Sequence, residues 1–427
     1  MSSSAVSRTS SARLLESARE VILRMGVAEK LYILVICLVY LMHNIWLART
    51  VLWFVLVPVL LISMRPYRSL LPIVKSGVFV LSACFLVLIL ATSVLAGGAS
   101  VALIWKNVRY VVAVLGFLTI TAHLINKDGD FLRLLFLFVA PAAAIAAIVD
   151  VLWFSGFSLQ TILTTRLEGV KGLTVYYNSN VIGIMFAIPC VGAVALMVSK
   201  RLARWQFAML FASALVLLGA VVLTGSRGSV TAALAGIGLC VLLAANWRLS
   251  VAAVAVVILA AGIVAMTPLF GALLQRGDSL RLTLWPVYLH MAELKPWIGY
   301  GLAFDTQVTL PDGNVVMNAH NIILCALVRG GVFSAAALFG IVVFALLGGW
   351  RAWRRHGEVA PVALLGACLM ASSVDYEIVP TDLGYLWILF WLPVAICLGA
   401  SLPRSNRAFS EQGAAEPMVS DAAAARA

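Results

Sequence analysis

The sequence predicts an all-α, polytopic membrane protein with about twelve transmembrane helices and a large loop that itself contains helices. The prediction rests on overall hydropathy, on the length of the apolar runs, and on a one-sided distribution of Lys and Arg. Hydrophobic residues make up 63% of the 427-residue chain and charged residues 11%, against roughly 45–50% and about 25% in soluble domains. Mean hydropathy is +1.04. No water-soluble fold hides that much apolar surface, so lipid must solvate most of it. The formal net charge of +12 does not point to nucleic acid, because excess Lys and Arg in cytoplasmic loops give a membrane protein the same balance.

A spanning helix needs about 20 mainly apolar residues. Runs of that kind lie near 31–46, 49–64, 70–97, 108–125, 131–154, 179–199, 205–224, 228–246, 249–267, 319–349, 359–377 and 383–402. The first two are short and separated only by NIWLAR. The tenth is long and contains Arg329, Gly330 and Gly331, which predicts a tilted or broken helix. Together residues 31–402 form one helical bundle with outer loops at 155–178 and 268–318. Residues 1–30 are Ser- and Arg-rich without an apolar core, and read as a cytosolic tail rather than a cleaved signal peptide. Residues 403–427 are Ala-rich with scattered charge and read as a disordered cytosolic tail. The seven cysteines all fall in apolar runs without metal-ligand spacing, and read as small core residues.

With the N-terminal tail inside, 19 of the 30 Lys and Arg residues fall on the inner side and 9 on the outer, as the positive-inside rule requires. Lys75 and Arg329 stay unassigned. An even number of spans puts both termini in the cytoplasm. The outer 268–318 loop contains SLRLTLWPVYLHMAEL, which predicts a helix capped by Asp278 or Ser279. Arg281, Trp285 and Tyr288 then share one face, while Pro286 predicts a kink or a fresh helix start.

The outer side collects the chemistry. The turn LTGSRGS at 223–229 places Arg227 at the membrane boundary, with Gly225 and Gly228 allowing a tight turn. An arginine there also fits simple snorkelling to lipid headgroups. Arg166 and Lys171 flank a glycine-containing loop, Arg276 and Arg281 lie on the large loop, and His320 opens the tenth span. A guanidinium fork matches phosphate oxygens, so several outer arginines imply an anionic ligand. The outer acids Glu168, Asp278, Glu293, Asp305, Asp312, Asp375, Glu377 and Asp382 are dispersed and form no metal motif. Arginines would then supply the neutralisation that a metal supplies elsewhere. His320, with an ordinary pKa of about 6.5, is the candidate base. Neighbouring guanidinium groups are expected to keep its ring neutral, and Asp375 or Asp382 are the candidates to orient it.

These residues resemble the O-antigen ligases and the wider superfamily they share with the O-antigen polymerases. The resemblance is carried by LTGSRGS at 223–229, the R-x-x-x-W of Arg281 to Trp285, PWIGYGLAF at 296–304 and the His320–Asn321 pair, in that order. YYNSNVIG at 176–183 is a looser match, with Ser179 where the family commonly has proline. The resemblance covers roughly residues 160–390. It implies a metal-independent, cofactor-free, inverting glycosyl transfer on the periplasmic face of the bacterial inner membrane. The donor would be an O-antigen glycan on undecaprenyl pyrophosphate, and the acceptor a sugar hydroxyl of lipid A–core. Arg227 and Arg281 would hold the pyrophosphate, with Arg166, Arg276, Asn178, Asn180, Trp285 and Asn321 completing substrate binding. His320 would take the acceptor proton. A polymerase using the same donor is the nearest alternative. A transporter or flippase for an anionic lipid is the alternative of another class, and it predicts charged residues at mid-helix, for which only Asp150 and Lys75 qualify.

Overall fold

A computed structural model describes residues 16–403 apart from 17–18, 24, 43–44, 65–66, 170–177, 245–250, most of 252–280, 311–312 and 314. The described chain is almost entirely helical, with one two-stranded antiparallel ribbon. In order the helices are α1 (Val27–Leu41), α2 (Trp46–Ser63), α3 (Gly77–Leu95), α4 (Val101–Lys127), α5 (Phe131–Ser155) and the short α6 (Leu159–Thr164). There follow α7 (Ser179–Ser199), α8 (Arg204–Leu223), α9 (Arg227–Leu243) and α10 (Arg281–Leu294). The ribbon of β1 (Val308–Thr309) and β2 (Val315–Val316) leads to α11 (Ile322–His356), α12 (Ala360–Ser372) and α13 (Trp387–Ser401).

Seven of these (α2, α3, α4, α5, α7, α8 and α11) are long and apolar enough to cross a membrane, and α9, α12 and α13 are shorter apolar helices. The expected span at 249–267 falls mostly outside the described residues. Several boundaries differ from expectation: α12 ends at Ser372 rather than at 377, and α11 runs on to His356 rather than ending at 349. The run 70–97 does not form one helix: residues 67–74 make a short helical corner, and α3 begins afresh at Gly77. Ser76 decides this, because its hydroxyl accepts the Phe79 N–H and caps the new helix. In the same way Ser100 caps α4 at Val101, a full two turns before the expected start.

The bundle is built around α7. It carries no charged side chain and is apolar on every face, which is the pattern of a helix enclosed by others. It packs on α5, α8, α9 and α12, and 89% of its apolar window is buried. Around it, α13 packs on α4, α1 on α5, and α11 on α3, α12 and α13. Cys190, Cys240, Cys325, Cys368 and Cys397 are buried as the sequence predicts; Cys84, on α3, is exposed. The connections alternate between two ends of the bundle. At the end where Lys127 meets Glu29 at 2.6 Å and Lys200 meets Glu358 at 3.5 Å, ion pairs tie neighbouring connections together. The other end carries the outer residues singled out above.

The predicted break in α11 is present. Gly331 has φ 67° and ψ −167°, a conformation essentially restricted to glycine. Breaking the helix frees backbone groups that need partners, and the PWIGYG stretch supplies them. Tyr300 N–H donates to Val328 O and Gly301 N–H to Arg329 O, both at 2.8 Å, and Val332 N–H donates to Pro296 O at 2.8 Å. The upper half of α11 also shares a small separate core with the outer loop: Leu284, Tyr288 and Ala292 of α10 pack with Leu310, Ala319, Cys325 and Val328. The large loop is therefore a folded cap seated on a broken helix. Its helix α10 runs through Pro286 without interruption, so the helix does not restart there. The proposed caps Asp278 and Ser279 lie outside the described residues.

Candidate functional site

The site is organised by the turn Ser373–Glu377, between α12 and α13, and four helix N-termini meet it. Asn321, the N-cap of α11, donates its side-chain amide to Ser373 O at 3.0 Å. Arg281, the first residue of α10, donates Nε–H to Val374 O at 2.6 Å. Gly228, in the first turn of α9, lies so close that a Cβ there would sit 3.3 Å from Val374 Cγ2 and 4.0 Å from Asp375 Oδ2. The Tyr376 hydroxyl donates to the carbonyl of Asn180, in the first turn of α7, at 2.6 Å. Each helix N-terminus presents a partial positive charge, so the turn sits where four such ends converge.

His320 faces this turn. Its Nδ1 lies 2.9 Å from Asp375 Oδ1, which assigns the proton to Nδ1 and leaves Nε2 as the free ring nitrogen. Asp375 is nearly buried, with 5% of its side chain exposed, whereas the His320 side chain is 33% exposed. The ring thus has one end anchored in protein and the other open. His320 holds φ at 47°, in the left-handed region, and Asn318 Oδ1 supports that geometry by accepting the His320 N–H at 2.9 Å. Trp285 fixes the residue before it, donating Nε1–H to Ala319 O at 3.1 Å. The predicted shared face of Arg281, Trp285 and Tyr288 is the face that α10 turns toward the protein, locking His320 and the 373–377 turn together.

The sequence suggests that neighbouring guanidinium groups keep the His320 ring neutral. The Asp375 hydrogen bond and charge instead raise its pKa above the ordinary 6.5, and burial and the Arg281 charge only partly oppose them. The orienting carboxylate is Asp375. Asp382 lies elsewhere, 3.4 Å from Arg49 Nε and accepting the Leu383 N–H.

The α9 entrance also differs in detail. Gly225 takes the left-handed turn, with φ 57°. Gly228 does not turn the chain; it is helical, and its missing side chain lets α9 approach the 373–377 turn. Arg227 is the first helical residue, behind a Ser226 cap. Ser229 donates to Asn180 O at 3.1 Å, and a Cβ at Gly183 would fall 2.6 Å from that hydroxyl, so glycine is what allows α7 and α9 to touch here. Arg166 braces the same corner, with Nε–H to Thr224 O at 2.6 Å and Nη2 to Asn180 Oδ1 at 2.7 Å. Asn178 caps α7. Arg276 and Lys171 lie outside the described residues. Among the described residues, no three His, Cys, Asp or Glu side chains gather as a metal cluster.

Sequence reasoning missed three participants. Tyr376 acts through its hydroxyl and Ser373 and Val374 through their backbone carbonyls, in a turn that no motif marks. Arg329 had no explanation, and it proves to be a clamp. Its Nε meets Glu377 Oε1 at 2.6 Å, its Nη1 donates to Gly301 O and Phe304 O, and its Nη2 to Thr306 Oγ1. Both partners of the ion pair are largely buried, at 12% and 15% exposure. Removing one partner of such a pair leaves an uncompensated charge, so Arg329→Met is expected to cost about 3 kcal/mol or more. Thermal unfolding in detergent measures this, and adding Glu377→Gln to the same chain should restore part of the loss.

A family model described as O-antigen ligase matches residues 212–339. An O-antigen ligase of Pseudomonas aeruginosa is 27% identical over 128 residues, an alignment covering 29% of this chain and 30% of that protein. The chain thus spans less than a third of that relative's length in the match. The family match contains Arg227, Arg281, Trp285, His320, Asn321 and Arg329, and ends before the 373–377 turn. Over the segment that carries its arginines and its histidine, the chain is similar to the O-antigen ligases.

Proposed function

We propose that the protein is an O-antigen ligase. It transfers a glycan from undecaprenyl pyrophosphate to a sugar hydroxyl of lipid A–core, with inversion and without a metal, at the periplasmic face of the inner membrane. The observation that carries this reading is the meeting of His320, Arg281 and the N-termini of α7, α9, α10 and α11 on one short turn.

In this reading the acceptor hydroxyl attacks the anomeric carbon as its proton passes to His320 Nε2. The bond from that carbon to the pyrophosphate oxygen breaks, and undecaprenyl pyrophosphate leaves as the anion. Asp375 holds the ring and stabilises the imidazolium that forms. Arg281, anchored by its Nε to Val374 O, offers its terminal nitrogens to the diphosphate, and Arg227 approaches from the start of α9. The converging helix ends favour the same negative charge without reorganising. Arg166 acts as the brace for this corner. Both substrates carry lipid tails, which an apolar bundle accommodates.

The test is transfer by purified protein from lipid-pyrophosphate-linked glycan to rough lipopolysaccharide, in chelator. Activity is expected to persist in chelator and to vanish in Arg227→Ala. Arg281→Lys is expected to lose at least about tenfold, because a point-charge ammonium does not reproduce the paired, planar donors of the guanidinium. Transfer at the wild-type rate by Arg227→Ala would refute the diphosphate assignment, and loss in chelator would refute the metal-free one. Polymer growth that needs no lipid A–core would mark a polymerase.

A further inference from the structure

The helices α7, α9 and α11 begin beside the 373–377 turn and end at the opposite side of the bundle. Between their last turns lies a cavity of about 580 Å³, within the range of small-molecule sites. Val198, Leu242, Leu243 and Val359 give it an apolar lining, and Arg354 and His356, from the last turn of α11, a basic one. Trp353 ties this corner together. Its Nε1–H donates at 3.0 Å to Leu243 O, one of the carbonyls that the end of α9 leaves without a helical partner.

Positive charge is in surplus around the cavity. Arg351, Arg354 and Arg355 stand three and four residues apart, so they are neighbours on α11 and repel one another. All three are exposed, and none has a carboxylate within 4.0 Å among the described residues. Glu358, the nearest acid along the chain, is engaged with Lys200 at 3.5 Å. The carbonyl ends of the three helices contribute roughly half a negative charge each, which offsets only part of the excess. The Arg354 guanidinium lies 6.0 Å from the centre of the Trp353 ring, a cation–π contact that keeps its charge beside the cavity. Trp205 and Trp350 at this same end are 63% and 47% exposed, the placement of indoles at a membrane–water interface. The cavity therefore opens at headgroup depth, with guanidinium forks suited to phosphate oxygens beside an apolar lining.

We propose that this cavity, at the far end of the bundle from His320, binds the phosphate of an anionic phospholipid through Arg354, with Arg351 and Arg355 supplying the surrounding positive field. The site does not depend on the reaction assigned above, and its test reads binding alone. Purified protein in detergent is titrated with short-chain phosphatidylglycerol, with the matching phosphatidylcholine, and with inorganic phosphate, following the thermal midpoint. Phosphatidylglycerol is expected to give a saturable rise. Phosphatidylcholine should not, because its own cation would face the arginines. Arg354→Gln, at an exposed position, should weaken the Kd for phosphatidylglycerol about tenfold, the equivalent of one charge-assisted hydrogen bond. Arg204→Gln removes an exposed cation from the same end that does not line the cavity, and should leave the Kd unchanged. Inorganic phosphate binding as tightly, with the same response to Arg354→Gln, would support the anion site and assign it to free phosphate. Absence of saturable binding, or a Kd indifferent to Arg354→Gln, overturns the proposal. Equal weakening by Arg204→Gln also overturns it, since a basic surface would then be attracting anions without a seat. So does a Kd that weakens in Arg227→Ala instead, which would place the lipid in the His320 site.

Discussion

His320→Ala is expected to reduce glycan transfer by roughly 10²–10⁴-fold, the contribution of a positioned proton acceptor, while leaving the protein folded. The ring is one-third exposed, so its loss removes little packing, although the buried Asp375 carboxylate loses its partner and the thermal midpoint should fall somewhat. Asp375→Asn provides the sharper measurement. Asp375 raises the His320 pKa above 6.5 by stabilising the imidazolium. The base must be unprotonated to act, so the acidic limb of the wild-type rate profile should lie above pH 6.5. Removing the charge should move that limb to lower pH, and a lower plateau should remain because the ring is less firmly oriented. Stability follows the same linkage: a raised folded pKa contributes fully below about pH 6.5 and is lost as pH rises through the folded value. Wild-type protein should therefore lose thermal stability across that interval more than Asp375→Asn. A limb that does not move would separate Asp375 from the proton transfer.

Gly331→Ala is expected to damage the protein most. A Cβ at that position would sit 2.2 Å from Trp297 O and 2.6 Å from Ile298 N, both backbone atoms, and φ is 67°. Strain of about 1–3 kcal/mol for the backbone adds to a comparable overpacking cost, and the PWIGYG stretch has to leave the broken helix. The thermal midpoint should fall by many degrees and transfer should fail with it. Gly219→Ala, a helical site where a Cβ meets nothing within 4 Å, serves as the control and should be neutral or slightly stabilising. A Gly331→Ala protein as stable as wild type would mean that the break in α11 is not needed.

Much of this architecture was readable in the residues. Apolar run length found α2, α5, α7, α8 and α11, because a bilayer imposes its thickness on a helix. The Arg329–Gly330–Gly331 sequence announced the break in α11. Arg281, Trp285 and Tyr288 announced the working face of α10 through spacing alone. What stayed hidden depended on contacts between distant segments. Nothing around Ser373–Glu377 marks it as the meeting point, since much of its part is played by backbone carbonyls. The His320 pKa depended on which of its charged neighbours stood nearest, and charge counts along the sequence do not encode distance. Caps at Ser76 and Ser100 were legible in principle, but the apolar run 70–97 obscured the first, and Lys106 and Arg109 pushed the expected start of α4 past the second.

The enclosure of α7 has a mechanical consequence. A helix that touches protein on nearly every side takes its depth from its neighbours rather than from the surrounding acyl chains. Its Asn180 end, and the turn that Tyr376 fastens to it, should therefore hold still when the bilayer thins or thickens, while the exposed outer helices tilt to follow.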